Sequence, residues 1–332
     1  MVKKIFLVLL LISFSASARE WNKVKIPDAK CGDGADYFVF VSPKPGKKLL
    51  IELMSGGACW SADTCWGPNL RTWIHPIPKL PSFSVLTNDQ ISSNPVKDAS
   101  AVYFPYCTGD IYAGTHMGKY LFGTLPTYHY GKKNIHLTMN YLKANKLINF
   151  DSIEDLTIFG ASAGAIGSLL HADFFNSFTP HSKKRTLLSD SPGLHFGREF
   201  WDKFTYPLLN DFDETFREAG LNLDFKNGII TTELKNVFRL KEHWNIGILQ
   251  GSQDIIMSTV FGDISPSEHE DLVLGPTGVV KVAKPFKNVD TWIDMSPMHT
   301  FLVLKQSMNM ESEKSETALE FASRIHSGQI NK

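Results

Sequence analysis

The residues 155–167 read Asp155-Leu-Thr-Ile-Phe-Gly160-Ala-Ser162-Ala-Gly164-Ala-Ile-Gly167. Within them lies the pattern G-x-S-x-G. A serine becomes a nucleophile when it sits on a tight, strained strand-to-helix turn that lifts its hydroxyl clear of a sheet edge. Five residues alone say little, but an apolar run precedes these and an apolar helical run follows, which is the setting such a turn needs. Gly160 and Gly164 carry no side chains, so strand and helix can approach closely. The helix N-terminus aims backbone N–H groups at the reaction centre, and the Ala163 N–H becomes one donor to a developing oxyanion. The bland alternative is an ordinary turn in which Ser162 caps the helix.

A second donor belongs on the loop after an earlier strand. The apolar run Lys48 to Met54 leads into Ser55-Gly56-Gly57-Ala58-Cys59-Trp60, and Gly57 and Ala58 are the candidates. A serine nucleophile also needs a late histidine as base and an acid to orient it. His299 follows the apolar run Val289 to Asp294. His269 lies in the charged Ser-Glu-His-Glu-Asp, expected to be solvated, and His326 falls on an expected surface helix. The acid should follow the preceding strand, where Ile246 to Gln250 runs into Gly-Ser-Gln-Asp254. Asp254 is therefore the choice, with Asp190, one strand earlier, as the rival. Asp190 otherwise orders the turn beside the pocket. Trp60, Trp66, Tyr106 and Trp201 could line a sugar or acyl site or serve as packing.

The elements that must position these groups follow from periodicity. Tyr37 to Ser42 and Lys48 to Met54 read as strands, and Pro43-Lys-Pro-Gly46 between them suggests an antiparallel hairpin. Ala101 to Tyr106, Asp155 to Phe159, Thr186 to Ser189, Ile246 to Gln250 and Val289 to Asp294 read as further strands. Residues 131–145 and 163–175 carry helical patterns. Strands alternating with helices imply an α/β fold with a mostly parallel sheet, whose strand-following loops share one edge. Residues 195–243, rich in Phe, Trp and charge, suggest a helical insertion, either a lid or pocket wall or a surface layer.

The chain has 332 residues, 43% apolar and 20% charged, enough for one α/β domain over 19–332. Residues 1–18 carry a basic head, a short apolar run and Ala16-Ser17-Ala18, the pattern of a signal peptide cleaved near Ala18 and too short for a comfortable span. Export to the periplasm or medium is the expectation, without stable membrane insertion. Lys plus Arg equal Asp plus Glu at 34 each, so nothing draws the chain to nucleic acid. All four cysteines, Cys31, Cys59, Cys65 and Cys107, lie in the first third. Their spacing does not suit a zinc site, and two disulfides are expected. Three pairings are open. Cys59 and Cys65 could staple one loop, which leaves Cys31 with Cys107. No metal or cofactor is called for.

Together Leu53-Met-Ser-Gly-Gly-Ala-Cys59-Trp60, Tyr106-Cys-Thr-Gly-Asp110, the Gly-Ala-Ser-Ala-Gly turn and Leu188-Ser-Asp-Ser191 resemble the pectin acetylesterase family, the Notum-like α/β-hydrolases. The resemblance runs from about Cys31 to His299. It implies an α/β-hydrolase fold and a serine esterase with Ser162 as nucleophile, Asp254 as acid, His299 as base and Gly57, Ala58 and Ala163 as oxyanion hole. It also supports the pairs Cys59–Cys65 and Cys31–Cys107. Family members often carry a glutamate before the glycine pair and an aromatic residue after it, where this chain has Ser55 and Ala58. They also carry more cysteines in plants and animals, so the chain looks like a bacterial branch. The implied substrate is an acetylated polysaccharide such as pectin. The alternatives are esters of longer acyl chains, a polyester, or a non-catalytic binding role.

Overall fold

The computed structural model describes residues 19–67, 72–76, 84–121 and 123–330. The segment 1–18, read as a signal peptide, lies outside them. Among the described residues ten strands form: β1 (Asn22–Lys30), β2 (Asp36–Ser42), β3 (Lys48–Leu53), β4 (Ser100–Phe104), β5 (Met117–Tyr120), β6 (Leu125–Tyr128), β7 (Asp155–Ala161), β8 (Lys184–Asp190), β9 (Asn245–Gly251) and β10 (Val289–Asp294). The helices are α1 (Ala62–Trp66), α2 (Gly131–Ala144), α3 (Ala163–Ser177), α4 (Tyr206–Glu218), α5 (Leu234–Leu240), α6 (Pro266–Leu274), α7 (Val279–Ala283) and α8 (Ala318–Ser327).

Eight strands make one sheet in the order β1-β2-β4-β3-β7-β8-β9-β10, and β5 pairs with β6 apart from it. From β4 to β10 every pairing is parallel. Helices cover both faces, so β3, β7 and β8 are buried on both beyond their first residues. Leu49, Leu50, Ile51 and Leu53 are all buried. This is an α/β-hydrolase arrangement, a mostly parallel sheet flanked by helices.

The expected β2–β3 hairpin does not form. β4 lies between the two strands, antiparallel to β2 and parallel to β3. A strand buried on both faces needs neighbours along both edges, and β4, buried at every position, supplies one of them. Ser100 at its start fills the place a tight turn would close, donating to the Lys44 carbonyl and accepting from the Lys44 N–H. The edge strand β1 was not legible beforehand, because its run of lysines reads as polar chain.

Register sets the functional edge. Leu53 pairs with Gly160, Gly160 with Ser189, Asp190 with Leu249, and Gly251 with Asp294. The C-terminal ends of five parallel strands are therefore level. The loops that leave them bring Gly57, Ser162, Ser191, Asp254 and His299 to one rim. Both disulfides, Cys31–Cys107 and Cys59–Cys65, are formed.

Candidate active site

Ser162 stands between β7 and α3 with φ 56° and ψ −121°. That conformation is costly for a residue with a Cβ, by about 1–3 kcal/mol, and it persists only where the surroundings enforce it. Here they do. The Ser162 N–H donates to the Asp190 carbonyl at 2.8 Å. A side chain at Gly160 would overlap the Gly164 carbonyl, and one at Gly164 would overlap the Leu53 carbonyl of β3. Ser162 occupies the N-cap position of α3, but its side chain makes no capping hydrogen bond. Its hydroxyl makes no hydrogen bond among the described residues and is left to face a cavity, with the residue only 4% exposed.

The loop after β3 is held from one side. The Gly56 carbonyl accepts from Thr72 Oγ1, and the Gly57 carbonyl accepts from Tyr106 Oη at 2.9 Å. In a trans peptide the N–H points opposite to the carbonyl, so the Gly57 N–H turns away from the Thr72 hydroxyl and the Ala58 N–H away from the Tyr106 hydroxyl, while Gly57 and Ala58 bridge Thr72 and Asp110. Gly57 has φ 73°. Gly57, Ala58, Ser162 and Ala163 line the same cavity. As the first residue of α3, Ala163 has an N–H with no acceptor inside its helix. Cys59 then anchors the loop twice, through its N–H to the Gly109 carbonyl at 2.9 Å and through its disulfide.

Asp254 is fully buried, and its carboxylate has four donors. Oδ1 accepts from the N–H groups of Ile256 and Met257, both at 3.0 Å. Oδ2 accepts from Gln250 Nε2 at 3.2 Å and pairs with His299 Nδ1 at 2.7 Å. That pairing leaves His299 Nε2 for other work. The His299 loop is tied to the turn that grips Ser162. Thr300 N–H donates to Ser191 Oγ at 3.1 Å, and Phe301 and Leu302 N–H both donate to Asp190 Oδ2 at 2.8 Å. Asp190 thus shares no hydrogen bond with the His299 ring and orders the backbone instead. Burial pushes its carboxyl up to about 6, against the opposing pull of the Leu302 and Phe301 N–H groups. No hydrogen bond joins Ser162 to His299 among the described residues. Catalytic hydrogen bonds are commonly long before substrate binds.

The cavity is narrow, and every side chain lining it except Ser162 is apolar. Phe196, Phe200, Trp201, Phe204, Phe212, Phe216 and Ile230 come from residues 195–243, whose helical turns and α4 form a wall of this cavity, while α5 contributes none of its lining. Ile111, Ile166, Met257 and Phe261 complete it.

Four residues considered for the pocket are not among its lining. Trp60 stands behind it, edge-on to Phe204 and Phe261. Trp66 packs on the Cys59–Cys65 disulfide and donates its indole N–H to Thr127. Tyr106 props the Gly57 carbonyl, and its ring fills the space a Gly56 side chain would take. Asp190 serves the His299 loop. Each is drawn inward by a polar partner or by packing that a sequence pattern does not reveal. Two histidines also differ from expectation. His269 is buried, its Nδ1 2.7 Å from the Ser252 carbonyl, because α6 packs on the loop before Asp254. His326 is buried against Thr157 and Lys184 on the inner face of α8. Gln250 carries no catalytic pattern in sequence. It joins Asp254 to the N–H of Gly193, which donates to its Oε1 at 3.0 Å.

Among the described residues no group of three or more His, Cys, Asp or Glu could hold a metal ion. No helix among them is long and apolar enough to cross a membrane.

Known proteins share this arrangement at two depths. A solved structure of the Wnt deacylase Notum from Drosophila superposes with a TM-score of 0.62 over 93% of each chain, at 16% identity, which is a likeness of fold. The palmitoleoyl-protein carboxylesterase NOTUM of Schmidtea mediterranea is 26% identical over 156 residues. That match covers 44% of this chain and 28% of the relative's length. The model of the Pectinacetylesterase family matches residues 19–227, ending before Asp254 and His299 but holding the nucleophile turn, the glycine loop and all four cysteines. With well over half of its length so matched, the chain belongs to the pectinacetylesterase family.

Proposed function

We propose that the protein is an exported serine carboxylic-ester hydrolase that cleaves esters of aliphatic acyl chains. One observation carries this reading: Ser162, Ala163, Gly57 and Ala58 stand together at a cavity whose other walls are aliphatic and aromatic side chains. In the proposed reaction His299 Nε2 takes the Ser162 proton as Oγ attacks the ester carbonyl. The N–H groups of Gly57, Ala58 and Ala163 hold the tetrahedral oxyanion. Its collapse breaks the bond to the alcohol, which leaves with the proton from His299. Water, deprotonated by His299, then attacks the acyl-enzyme and releases the carboxylic acid. Asp254 fixes the imidazole tautomer and balances the imidazolium charge.

Each methylene buried contributes about 0.8 kcal/mol. An acyl chain entering this cavity should therefore raise kcat/KM about fourfold per carbon until it is full. The name of the matched relative, a palmitoleoyl-protein carboxylesterase, fits such a pocket. A second reading, deacetylation of a polysaccharide such as pectin, is favoured by the family match. A series of p-nitrophenyl esters from acetate to palmitate separates the two. A maximum at acetate would sink the long-chain reading. Labelling of Ser162 by a fluorophosphonate, abolished in Ser162→Ala, separates both from a binding protein without activity. Two disulfides in a chain whose first residues have a signal-peptide pattern support export. The four-cysteine framework suits a bacterial branch of the family.

A further inference from the structure

One residue of the acyl cavity also borders a second space. Beside the segment 195–197 lies a second hollow of about 480 Å³, open to solvent, whose lining includes Arg198, Glu268 and Asp271. Among the described residues Phe196 is the one that lines both spaces. Backbone contacts hold the segment that carries it. Phe196 N–H donates to the Gly228 carbonyl at 3.0 Å, and Gly197 N–H to the Gly262 carbonyl at 2.6 Å. These segments touch because they are glycine at the contact. A side chain at Gly228 would overlap the carbonyls of Phe196 and Gly197, and one at Gly262 would overlap the Met257 carbonyl. The Phe196 ring stands between the two spaces, held flat against Phe200 with centroids 4.0 Å apart and planes 9° apart.

The geometry points to Phe196 as the gate that sets the longest acyl chain the protein accepts. This rests on the acyl-chain reading of the cavity and adds its limit. A chain that fills the apolar space meets the ring face of Phe196. A longer one must displace the ring, giving up its stacking on Phe200, and emerge beside charged groups where its terminal carbons regain water and gain nothing. Binding free energy should therefore grow with chain length and then stop.

Saturated fatty acids from hexanoate to stearate, titrated calorimetrically into the whole protein, test this without relying on catalysis. Wild-type affinity is expected to rise by about fourfold per methylene and to level off at a definite length. In Phe196→Ala the levelling should move to longer acids, and in Phe196→Trp to shorter ones. Phe196→Leu and Phe196→Met keep most of the core volume, and they decide the matter if the alanine variant does not fold. An unchanged levelling point in folded Leu and Met variants overturns the gate, as does the absence of length-dependent binding in the wild type. Hydrolysis of the matching p-nitrophenyl esters is measured in parallel. Binding that shows the gate without any hydrolysis would defeat the proposed esterase activity while leaving the gate standing.

Discussion

The two sides of the cavity are built on opposite principles. At the sheet rim, nearly every polar atom that could aim a catalytic group is tied. Asp254 has four donors, Asp190 grips two backbone N–H groups, and the carbonyls of Gly56 and Gly57 are both engaged. Across from it, the wall from residues 195–243 meets the cavity with aromatic rings that touch edge to face or stack, as Phe200, Phe204 and Phe212 do around Trp201. The difference follows from what each side has to do. Proton transfer and oxyanion binding are directional and need groups held in place by hydrogen bonds. Holding an alkyl chain needs volume and exclusion of water, which have no direction. Substitutions at the rim should cost rate, and substitutions in the wall should cost stability and change chain-length preference.

The largest effect that can break this contrast is expected at Ser162. Ser162→Ala should lower kcat by about 10⁴–10⁶ with little change in melting temperature. Retention of the ester activity would remove Ser162 as nucleophile. Next comes the choice between two buried carboxylates. Asp254→Asn should cost about 10⁴ in kcat, whereas Asp190→Asn should act chiefly on stability, since its oxygens bind backbone rather than the His299 ring. The opposite pattern in paired kinetics and melts would exchange their roles. In the wall, Phe212→Ala should lower unfolding free energy by about 3–5 kcal/mol and depress activity on long esters more than on acetate. A uniform loss across the ester series would count against the wall's part in specificity.

A subtler test uses Glu52, buried in the middle of β3 with Oε2 unpartnered. Burial pushes its carboxyl from 4.5 up to about 8. Because the folded value lies above the unfolded one, its contribution to stability is complete below 4.5 and is lost as pH rises through 8. Glu52→Gln does not titrate, so its melting temperature should gain on the wild type as pH rises across that window. A difference that is the same at both ends would place the proton elsewhere. The smallest effect is expected at Tyr106→Phe. Losing the donor to the Gly57 carbonyl should cost about 1 kcal/mol of positioning, roughly fivefold in kcat, with KM little changed. No change in kcat would mean that the glycine loop holds its shape without that prop.

The nucleophile turn was readable because everything that shapes it is local. A strand, two glycines and a helix start lie within thirteen residues, and Ser162 duly has a positive φ. The parallel sheet was readable from apolar runs alternating with helices. The pairing of β2 was not, because a hairpin and a strand inserted from fifty residues further on leave the same trace in sequence. Asp254 and Asp190 looked alike on paper, each following a buried strand. The wall residues announced their aromatic character but not which rings would face the nucleophile.

The amino-acid sequence determined the groups that could do chemistry and the kind of sheet that would carry them, because nucleophile, turn and strand pattern are encoded over short spans where sterics and hydrogen bonding are decided by neighbours. The tertiary structure alone decided which acid meets His299, that Trp60, Trp66 and Tyr106 stay out of the pocket lining, and that Phe196 borders both the pocket and the hollow beside it. Those outcomes depend on strand register and on packing between segments a hundred residues apart, and no local pattern records such distances.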